Sequence, residues 1–171
     1  MLTQTNHEAW SSRLGPRTRR RVGLVWSSSS RFDSDSTRSV NLSEFVNALP
    51  DSGFDYVCLQ KDIKSTDRSI LDSRRDIRFF GNDLDDFSDT AALIDSMDMV
   101  VSTCTSVPHL SGALGKPTWI LLSYASDWRW LLDRDDSPWY PNMKLFRQPA
   151  VGDWDSVFAS VKSALTLNSP S

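Results

Sequence analysis

Six short runs with strand-like character follow one another along the chain, each separated from the next by a polar or helix-periodic segment. They lie at residues 22–26, 56–59, 77–80, 99–101, 118–122 and 144–147. The first run is continuously apolar rather than alternating, which is typical of a strand covered by helices on both faces. The pattern therefore predicts six strands, the first of them central in the sheet.

The segments between these strands carry apolar residues at helical spacing. After residue 41 the helical pattern runs until Pro50, a second pattern follows Asp89, and the last one opens at residues 152–153. The apolar positions of these three patterns are Leu42, Phe45, Val46 and Leu49; Ala91, Leu93, Ile94 and Met97; and Trp154, Val157, Phe158, Val161 and Leu165. Strands that alternate with helices predict an α/β doubly wound, mainly parallel sheet with right-handed crossovers.

Residues 89–117 form the most informative segment, because helix, buried strand, tight turn and second helix follow there without a gap. Asp89 can cap the first helix, and either Thr105 or Ser106 can cap the second. Pro108 suits a first turn, and Gly115 suits a helix end. A helix that begins at the carboxyl end of a parallel strand attracts anions, most often phosphates. This segment therefore predicts a ligand crevice.

Length and composition limit the domain organisation and the class of protein. The chain has 171 residues and 39% hydrophobic content, which suits one domain, expected at 21–167. Residues 1–20 are polar and contain Arg13, Arg17, Arg19 and Arg20, so we expect a flexible N-terminal segment or linker, the alternative being a nucleic-acid arm. Residues 168–171 are expected to be a disordered tail.

Charge and cysteine content narrow the partners and the compartment. A net charge of −3 gives no support to a nucleic-acid binder, and no run approaches membrane-spanning length. The two cysteines, Cys58 and Cys104, are too few for a disulfide framework, and no secretory signal precedes the first strand. We therefore expect a cytoplasmic protein.

Several motifs, taken in order, resemble one protein family over nearly everything after Arg21. The motifs are VGLVW at 22–26, RSVNL at 38–42, DFSDTAALIDSMDMVVS at 86–102, HLSGALGKPTWILL at 109–122, DWRWLLDRDDSPWYP at 127–141, LFRQ at 145–148 and GDW at 152–154. The chain resembles the C-terminal half of bacterial tetratricopeptide-repeat (TPR) glycosyltransferases. These are related to the lipopolysaccharide heptosyltransferases and more distantly to protein O-GlcNAc transferases, all of the GT-B architecture.

The resemblance implies a Rossmann-like half of a GT-B fold that binds a nucleoside-diphosphate sugar. The implied reaction is inverting and metal-independent, and the implied partners are the N-terminal GT-B half or a TPR region in cis. No cofactor beyond the donor substrate is expected. The general base would come from the other half, so the isolated chain is expected to be inactive.

Matching positions suggest the residues of the diphosphate site. His109, in the first turn of the crevice helix, can donate to a pyrophosphate oxygen, the alternative being a histidine packed under the sheet edge. Thr105 and Ser106 offer hydroxyl and main-chain donors to the same anion. Arg38 can pair with the diphosphate, the alternative being an ordinary surface arginine.

Two departures from the family pattern bear on activity. Related sequences carry an aspartate where this chain has Cys104, so turnover is in doubt even if nucleotide binding survives. Three readings of this thiol remain: a lost carboxylate, a small buried residue, or a nucleophile beside a helix N-terminus. Relatives also carry Gly-Asn after the first strand, where this chain has serines; of these, Ser28 and Ser29 can still reach phosphate.

Base or sugar contacts are expected from two further places at the carboxyl edge. Gln60 and Lys61 end the second strand, and Asp127, Trp128 and Arg129 follow the fifth. Of Trp128, Trp130 and Trp139, at least two are expected to pack the loop onto its own domain. The competing function is a catalytically inactive nucleotide-binding or protein-interaction module of the same fold. A Rossmann redox domain is disfavoured because no G-x-G-x-x-G follows the first strand.

Overall fold

The computed structural model describes residues 4–28 and 38–168, of which residues 4–6 are described by their main chain alone. Its strands are β1 Arg20–Val25, β2 Phe54–Cys58, β3 Ile77–Phe79, β4 Met99–Thr103, β5 Thr118–Leu122 and β6 Met143–Arg147. Its helices are α1 Gln4–Leu14, α2 Leu42–Asn47, α3 Ser65–Ser73, α4 Phe87–Asp95, α5 Ser106–Ala113 and α6 Trp154–Leu167. Short 3₁₀ turns lie at Gly81–Asp83 and Trp128–Trp130.

The strands form one sheet in the order β3-β2-β1-β4-β5-β6, and every neighbouring pair is parallel. The strand order reverses between β1 and β4, which is the place where ligands bind in doubly wound folds. This Rossmann-like architecture confirms the predicted fold class. β1 is central, as its continuous apolar run indicates.

Helices cover both faces of the sheet. Phe45 of α2, Leu71 of α3 and Val161 of α6 pack into one apolar core, and Leu93 of α4 and Val107 of α5 pack into the other. A smaller cluster around Trp130 closes the end of the sheet next to β5 and β6. The two faces explain why the interior strands carry no polar alternation.

The segment before residue 21 differs from the expected flexible segment or linker. It contains α1, and Trp10 and Leu14 of this helix are only 1% and 3% exposed in the core that α4 and α5 share. The guanidinium of Arg78 donates to Leu14 O (2.7 Å) and that of Arg21 to Gly15 O (2.6 Å) at the end of the helix. Only two apolar residues, Trp10 and Leu14, anchor α1 to the core. Two such residues are too few to mark a helix in a segment whose composition is otherwise polar.

The start of α4 and the end of α6 differ slightly from the boundaries that the sequence pattern predicts. α4 begins at Phe87 and its N-cap is Asp86; Asp89 is its third residue and completes a capping box. Asp89 is therefore not the first cap, although both carboxylates stabilise the helix start. α6 ends at Leu167, Asn168 follows as its C-cap, and the predicted tail residues 169–171 lie outside the described part.

No helix among the described residues is long and apolar enough to cross a membrane.

Candidate functional site

A cavity of about 1140 Å³ lies where the predicted crevice was placed, at the carboxyl ends of the central strands. Val25 lines it at the end of β1, Leu59 just after β2, and Cys104 just after β4. Cavities that bind small organic ligands have a volume of roughly 300–1,000 Å³. The cavity is therefore large enough for a nucleotide sugar.

The cavity brings together the candidate residues that the sequence spreads over a hundred positions. Those that line it are Ser28, Arg38, Gln60, Lys61, Cys104, Thr105, Ser106, His109, Asp127, Trp128 and Arg129. Ser29 lies outside the described residues. The shared cavity is what the predicted site requires, while the contact of each residue with a ligand stays a prediction.

The N-terminus of α5 forms one wall of this cavity. Thr105 is the N-cap, and its side chain accepts a hydrogen bond from Val107 N at 3.3 Å. Ser106 is the first residue of α5, so helix geometry leaves its N–H without a partner inside the helix, and Pro108 in the same turn has no N–H. Ser106 is exposed, and the first turn holds no acidic residue. The positive end of the α5 dipole therefore faces the cavity uncompensated.

The N-terminus of α4 also lines the cavity and is built differently. The Asp86 carboxylate accepts from Ser88 N (2.7 Å) and Asp89 N (3.2 Å), and Asp89 accepts in return from Asp86 N (3.4 Å). The Ser88 hydroxyl, followed by these main-chain donors, lowers the pKa of Asp86. Here the protein's own carboxylates occupy the positive end of the helix.

Cys104 lies at the end of β4, half-buried, with its thiol facing the loop that follows β5. Trp130 Nε1 donates to Cys104 Sγ at 3.2 Å. Burial raises the pKa of the Cys104 thiol above its ordinary value. A raised pKa leaves little thiolate at neutral pH, which argues against the nucleophile interpretation.

His109 lies one turn into α5 and packs against aromatic rings rather than under the sheet edge. Its imidazole stacks on Trp130, with centroids 5.1 Å apart and planes at 20°, and its Nδ1 lies 3.2 Å from Tyr140 Oη. Burial, followed by the nearby Arg129 charge, lowers the pKa of His109. The ring is therefore neutral at pH 7 and holds one N–H donor.

The residues that end β2 serve different purposes. Gln60 is buried, its Oε1 accepts from Trp26 N (2.8 Å) and Ser27 N (3.1 Å), and its Nε2 donates to Ser27 Oγ (3.0 Å). This amide therefore ties the end of β1 to β2. Lys61 is exposed and its Nζ donates to Asp85 O at 3.0 Å, so its ammonium group is held beside the cavity.

The loop after β5 lines the cavity beside α5. Asp127 caps the 3₁₀ turn by accepting from Arg129 N (3.0 Å) and pairs with the Arg129 guanidinium (2.7 Å). That guanidinium lies 5.3 Å from the centroid of the Trp128 ring. Asp127 is thus engaged within the loop, and Arg129 and Trp128 are held as a unit at the cavity wall.

At least two of the three loop tryptophans were expected to pack the loop onto its own domain, but only Trp130 is buried in this way. Trp130 is fully buried, but Trp128 is 70% exposed and Trp139 is 59% exposed, and both line the cavity. Trp139 is fixed by a hydrogen bond from its Nε1 to Arg129 O at 2.9 Å. Two large rings therefore stand at the cavity rim rather than in the core.

Sequence reasoning missed some of the residues that line the cavity. Asp85 and Phe87 come from the turn into α4 and follow β3, so the carboxyl-edge rule that selected Gln60 applies to them as well. Tyr140 comes shortly before β6. A position ahead of a strand suggests the opposite sheet edge, so no sequence signal marks Tyr140.

Within the described ranges 4–28 and 38–168, no three histidine, cysteine, aspartate or glutamate side chains form a group that could hold a metal ion.

No family model matches the sequence of this chain. Protein FlbA of Caulobacter vibrioides is 34% identical to it over 80 residues, which is 47% of this chain and 13% of FlbA. The chain thus spans a small part of that relative's length.

Solved structures give a fuller match in fold. An E. coli ADP-heptose lps heptosyltransferase II has a TM-score of 0.65 at 14% identity, over 98% of this chain and 53% of that one. E. coli heptosyltransferase WaaC with ADP-2-deoxy-2-fluoro heptose has a TM-score of 0.63 at 16% identity, over 95% and 47%. A glycosyl transferase family 9 protein from Veillonella parvula has a TM-score of 0.63 at 10% identity, over 97% and 51%.

These three neighbours share the fold of this chain along nearly its whole length, whereas the chain spans about half of each of them. The chain therefore has a glycosyltransferase-like, Rossmann-like α/β fold that corresponds in extent to half of a heptosyltransferase.

Proposed function

We propose that this chain is the donor-binding half of a glycosyltransferase and that it binds a nucleoside-diphosphate sugar. The observation that carries the proposal is the cavity at the switch point of the sheet, lined by the uncompensated N-terminus of α5 together with His109. Helix N-termini in this position bind phosphate groups through main-chain N–H donors and the helix dipole. The fold shared with the three glycosyltransferase structures supports the same conclusion.

The charges around the cavity suit a diphosphate without a metal ion. The cationic side chains Arg38, Lys61 and Arg129 line it. Four carboxylates line it as well, those of Asp62, Asp85, Asp86 and Asp127, and the last two are engaged in helix capping and in the pair with Arg129. Guanidinium and ammonium groups stabilise a departing diphosphate as a divalent cation does. We infer that transfer is metal-independent and that the diphosphate leaves from the start of α5.

The reaction requires a second wall that this chain does not supply. The chain corresponds to about half of each neighbour in length, and the resembled family adds a facing N-terminal half and TPR repeats in cis. An acceptor held by that half approaches the sugar from the side opposite the diphosphate, so the transfer inverts the anomeric carbon. The general base belongs to the same half, so the isolated chain is inactive. We place this activity in the bacterial cytoplasm.

A second candidate function is a non-catalytic nucleotide-binding or interaction module. Cys104 favours it, because the thiol stands where related sequences carry an aspartate, and its raised pKa keeps it neutral. A neutral thiol cannot accept hydrogen bonds from sugar hydroxyls as strongly as a carboxylate does. Nucleotide binding is common to both candidates, and only the first requires transfer.

Binding is tested by isothermal titration calorimetry of the chain with ADP, UDP and GDP, each in EDTA and again in Mg²⁺. The expected result is saturable binding of at least one nucleoside diphosphate, with affinity in EDTA within about twofold of that in Mg²⁺. Failure of all three to bind refutes the donor site. Binding only with Mg²⁺ refutes the metal-independent mechanism alone.

Turnover is tested by C104D in a protein that carries both halves, with C104N as the matched neutral control. We expect C104D to raise the rate of sugar transfer or of donor hydrolysis above that of the parent and of C104N. If C104D and C104N behave alike, the carboxylate is not what limits turnover, and the non-catalytic module is favoured.

A further inference from the structure

The imidazole of His109 is held by two aromatic residues from the loop between β5 and β6. Trp130 is fully buried and stacks on one face of the ring, and Tyr140 approaches the edge, with Oη 3.2 Å from Nδ1. The two rings of His109 and Tyr140 are inclined at 59°. This arrangement fixes the imidazole plane and leaves Nε2 as the ring nitrogen that Tyr140 does not contact.

The hydrogen bond to Tyr140 also bears on where the single proton of the neutral ring resides. A neutral imidazole has one N–H donor and one bare acceptor nitrogen. A phenol hydroxyl that donates to Nδ1 makes Nδ1 the acceptor and leaves the proton on Nε2. The opposite tautomer would leave a bare lone pair on Nε2, which repels a diphosphate oxygen rather than donating to it.

Space for Tyr140 is built into α5 itself. A Cβ added at Gly112, one turn after His109, would lie 2.6 Å from Tyr140 Cδ1, 2.7 Å from Cγ and 2.5 Å from Met143 Cε. Glycine inside a helix costs stability relative to alanine. The helix therefore carries an unfavourable residue at the position where the tyrosine ring packs against it.

We propose that Tyr140 is a positioning residue for His109: its hydroxyl donates to Nδ1 and so holds the imidazole as the Nε2–H tautomer that donates to a diphosphate oxygen. This inference rests on the proposed function, because it assigns the orientation of one donor in that site. Tyr140 touches His109 and acts through it.

The tautomer is measured directly by long-range ¹H–¹⁵N correlation of imidazole nitrogens in ligand-free protein. The chain has two histidines, His7 and His109, so the spectrum contains two ring systems. The expected result is the Nε2–H pattern for His109 in the parent and a mixture of both tautomers in Y140F. An Nδ1–H pattern in the parent, or no change in Y140F, overturns the proposal.

Affinity supplies the second readout, with Y124F as the matched control because Tyr124 lies in the same loop with its ring exposed. Y140F is expected to weaken binding of ADP by about three- to tenfold, the effect of one misoriented hydrogen bond, and Y124F by less than twofold. Equal effects of the two substitutions contradict the inference.

A second variant reaches Tyr140 without altering its chemistry. G112A improves helix propensity but displaces the tyrosine ring, so we expect the mixed His109 tautomer to appear although the phenol is intact. An unchanged tautomer in G112A contradicts the packing argument. The tautomer is read without a ligand, so failure of nucleotide binding, which refutes the proposed function, is distinguishable from failure of this inference.

Discussion

The helices α4 and α5 begin at the same edge of the sheet and line one cavity, yet the first main-chain N–H groups of the two helices are satisfied in different ways. α4 starts with Asp86 and Asp89, whose carboxylates accept from its first main-chain N–H groups. α5 starts with Thr105, which accepts one long hydrogen bond, and its first turn has no acid.

The difference distinguishes a helix start that the chain's own carboxylates satisfy from one that is free of acidic residues. A carboxylate at a helix N-terminus compensates the dipole from within, as in α4. Where the sequence omits that carboxylate and leaves the turn exposed, as at Ser106, an external anion can take its place. Substitutions at the start of α4 therefore serve as controls for substitutions at the start of α5, and the reverse.

The largest expected effect comes from making α5 resemble α4. In S106D a carboxylate occupies the place proposed for the diphosphate, and like charges a few ångströms apart repel by roughly 1–4 kcal/mol. We expect the affinity for ADP, measured by calorimetry, to fall roughly 100-fold. Thermal stability should be retained, because an acid at a helix start adds about 0.3–1 kcal/mol.

The neutral isostere S106N separates charge from shape. It should bind ADP within about threefold of the parent, since an uncharged amide adds no repulsion of this size. If S106D and S106N bind ADP equally well, the start of α5 does not hold the anion.

The next effect concerns two exposed aromatic rings that line the cavity. W128A removes the ring that contacts the Arg129 guanidinium, and F87A removes the ring at the start of α4. Stacking of a base on an aromatic side chain contributes about 1–3 kcal/mol, so W128A should weaken ADP about tenfold. Pyrophosphate, which has no base, should bind W128A as it binds the parent.

The F87A variant is the matched control for that prediction, and we expect less than a threefold loss of ADP affinity. A larger loss in F87A than in W128A would place the base against α4 and would contradict the assignment of Trp128.

A smaller effect is expected from making α4 resemble α5. The pKa of Asp86 is lowered, so its ionised form stabilises the folded state above the unfolded pKa of about 3.9, and this contribution disappears as pH falls through the folded value. D86N keeps an oxygen that can cap the helix but has no charge. The free energy of unfolding in urea should therefore be lower for D86N than for the parent at pH 6.

The same comparison at progressively lower pH should show the two proteins converging, because Asp86 becomes protonated in both the folded and the unfolded state once the pH falls below its lowered folded pKa. A difference between parent and D86N that is independent of pH would mean that the cap acts through shape alone.

The smallest expected effect is a change in thiol reactivity. Cys58 is fully buried, and burial raises its pKa to about 12, whereas Cys104 lines the cavity with a half-buried thiol. Iodoacetamide at pH 7.5 should modify Cys104 slowly and Cys58 hardly at all, as followed by peptide mass spectrometry. ADP should slow the modification of Cys104 a few-fold. An unchanged rate at saturating ADP argues against a ligand at the end of β4.

Much of the fold can be predicted from the sequence because periodicity reports burial directly. The six apolar runs became the six strands, and β5 occupies 118–122 as predicted. The helix α1 escaped prediction, since Trp10 and Leu14 are too few to make a periodic pattern in a polar segment. Asp89 was expected to cap α4, but Asp86 is the N-cap, because a sequence with two acids three residues apart does not say which of them comes first in the helix.

The candidate site was predictable where it follows strand ends and unpredictable where a long loop returns to it. Thr105, Lys61 and Arg129 were selected because parallel strands present their carboxyl ends together, and His109 because it matches a position of the resembled family; all four line the cavity. The path of residues 124–142 is set by tertiary packing. Hence the exposure of Trp128 and the contact of Tyr140 with His109 required the structure.

Amide mapping by NMR shows whether an anion is held at the start of α5. ADP is titrated into ¹⁵N-labelled protein, and the chemical-shift changes at residues 105–109 are compared with those at 87–90 at the start of α4. We predict saturable chemical-shift changes centred on Ser106 and His109 and smaller changes at the start of α4. Pyrophosphate should reproduce the changes at Ser106 and His109. Saturable binding that leaves 105–109 unperturbed, or that is centred on α4, would contradict this prediction.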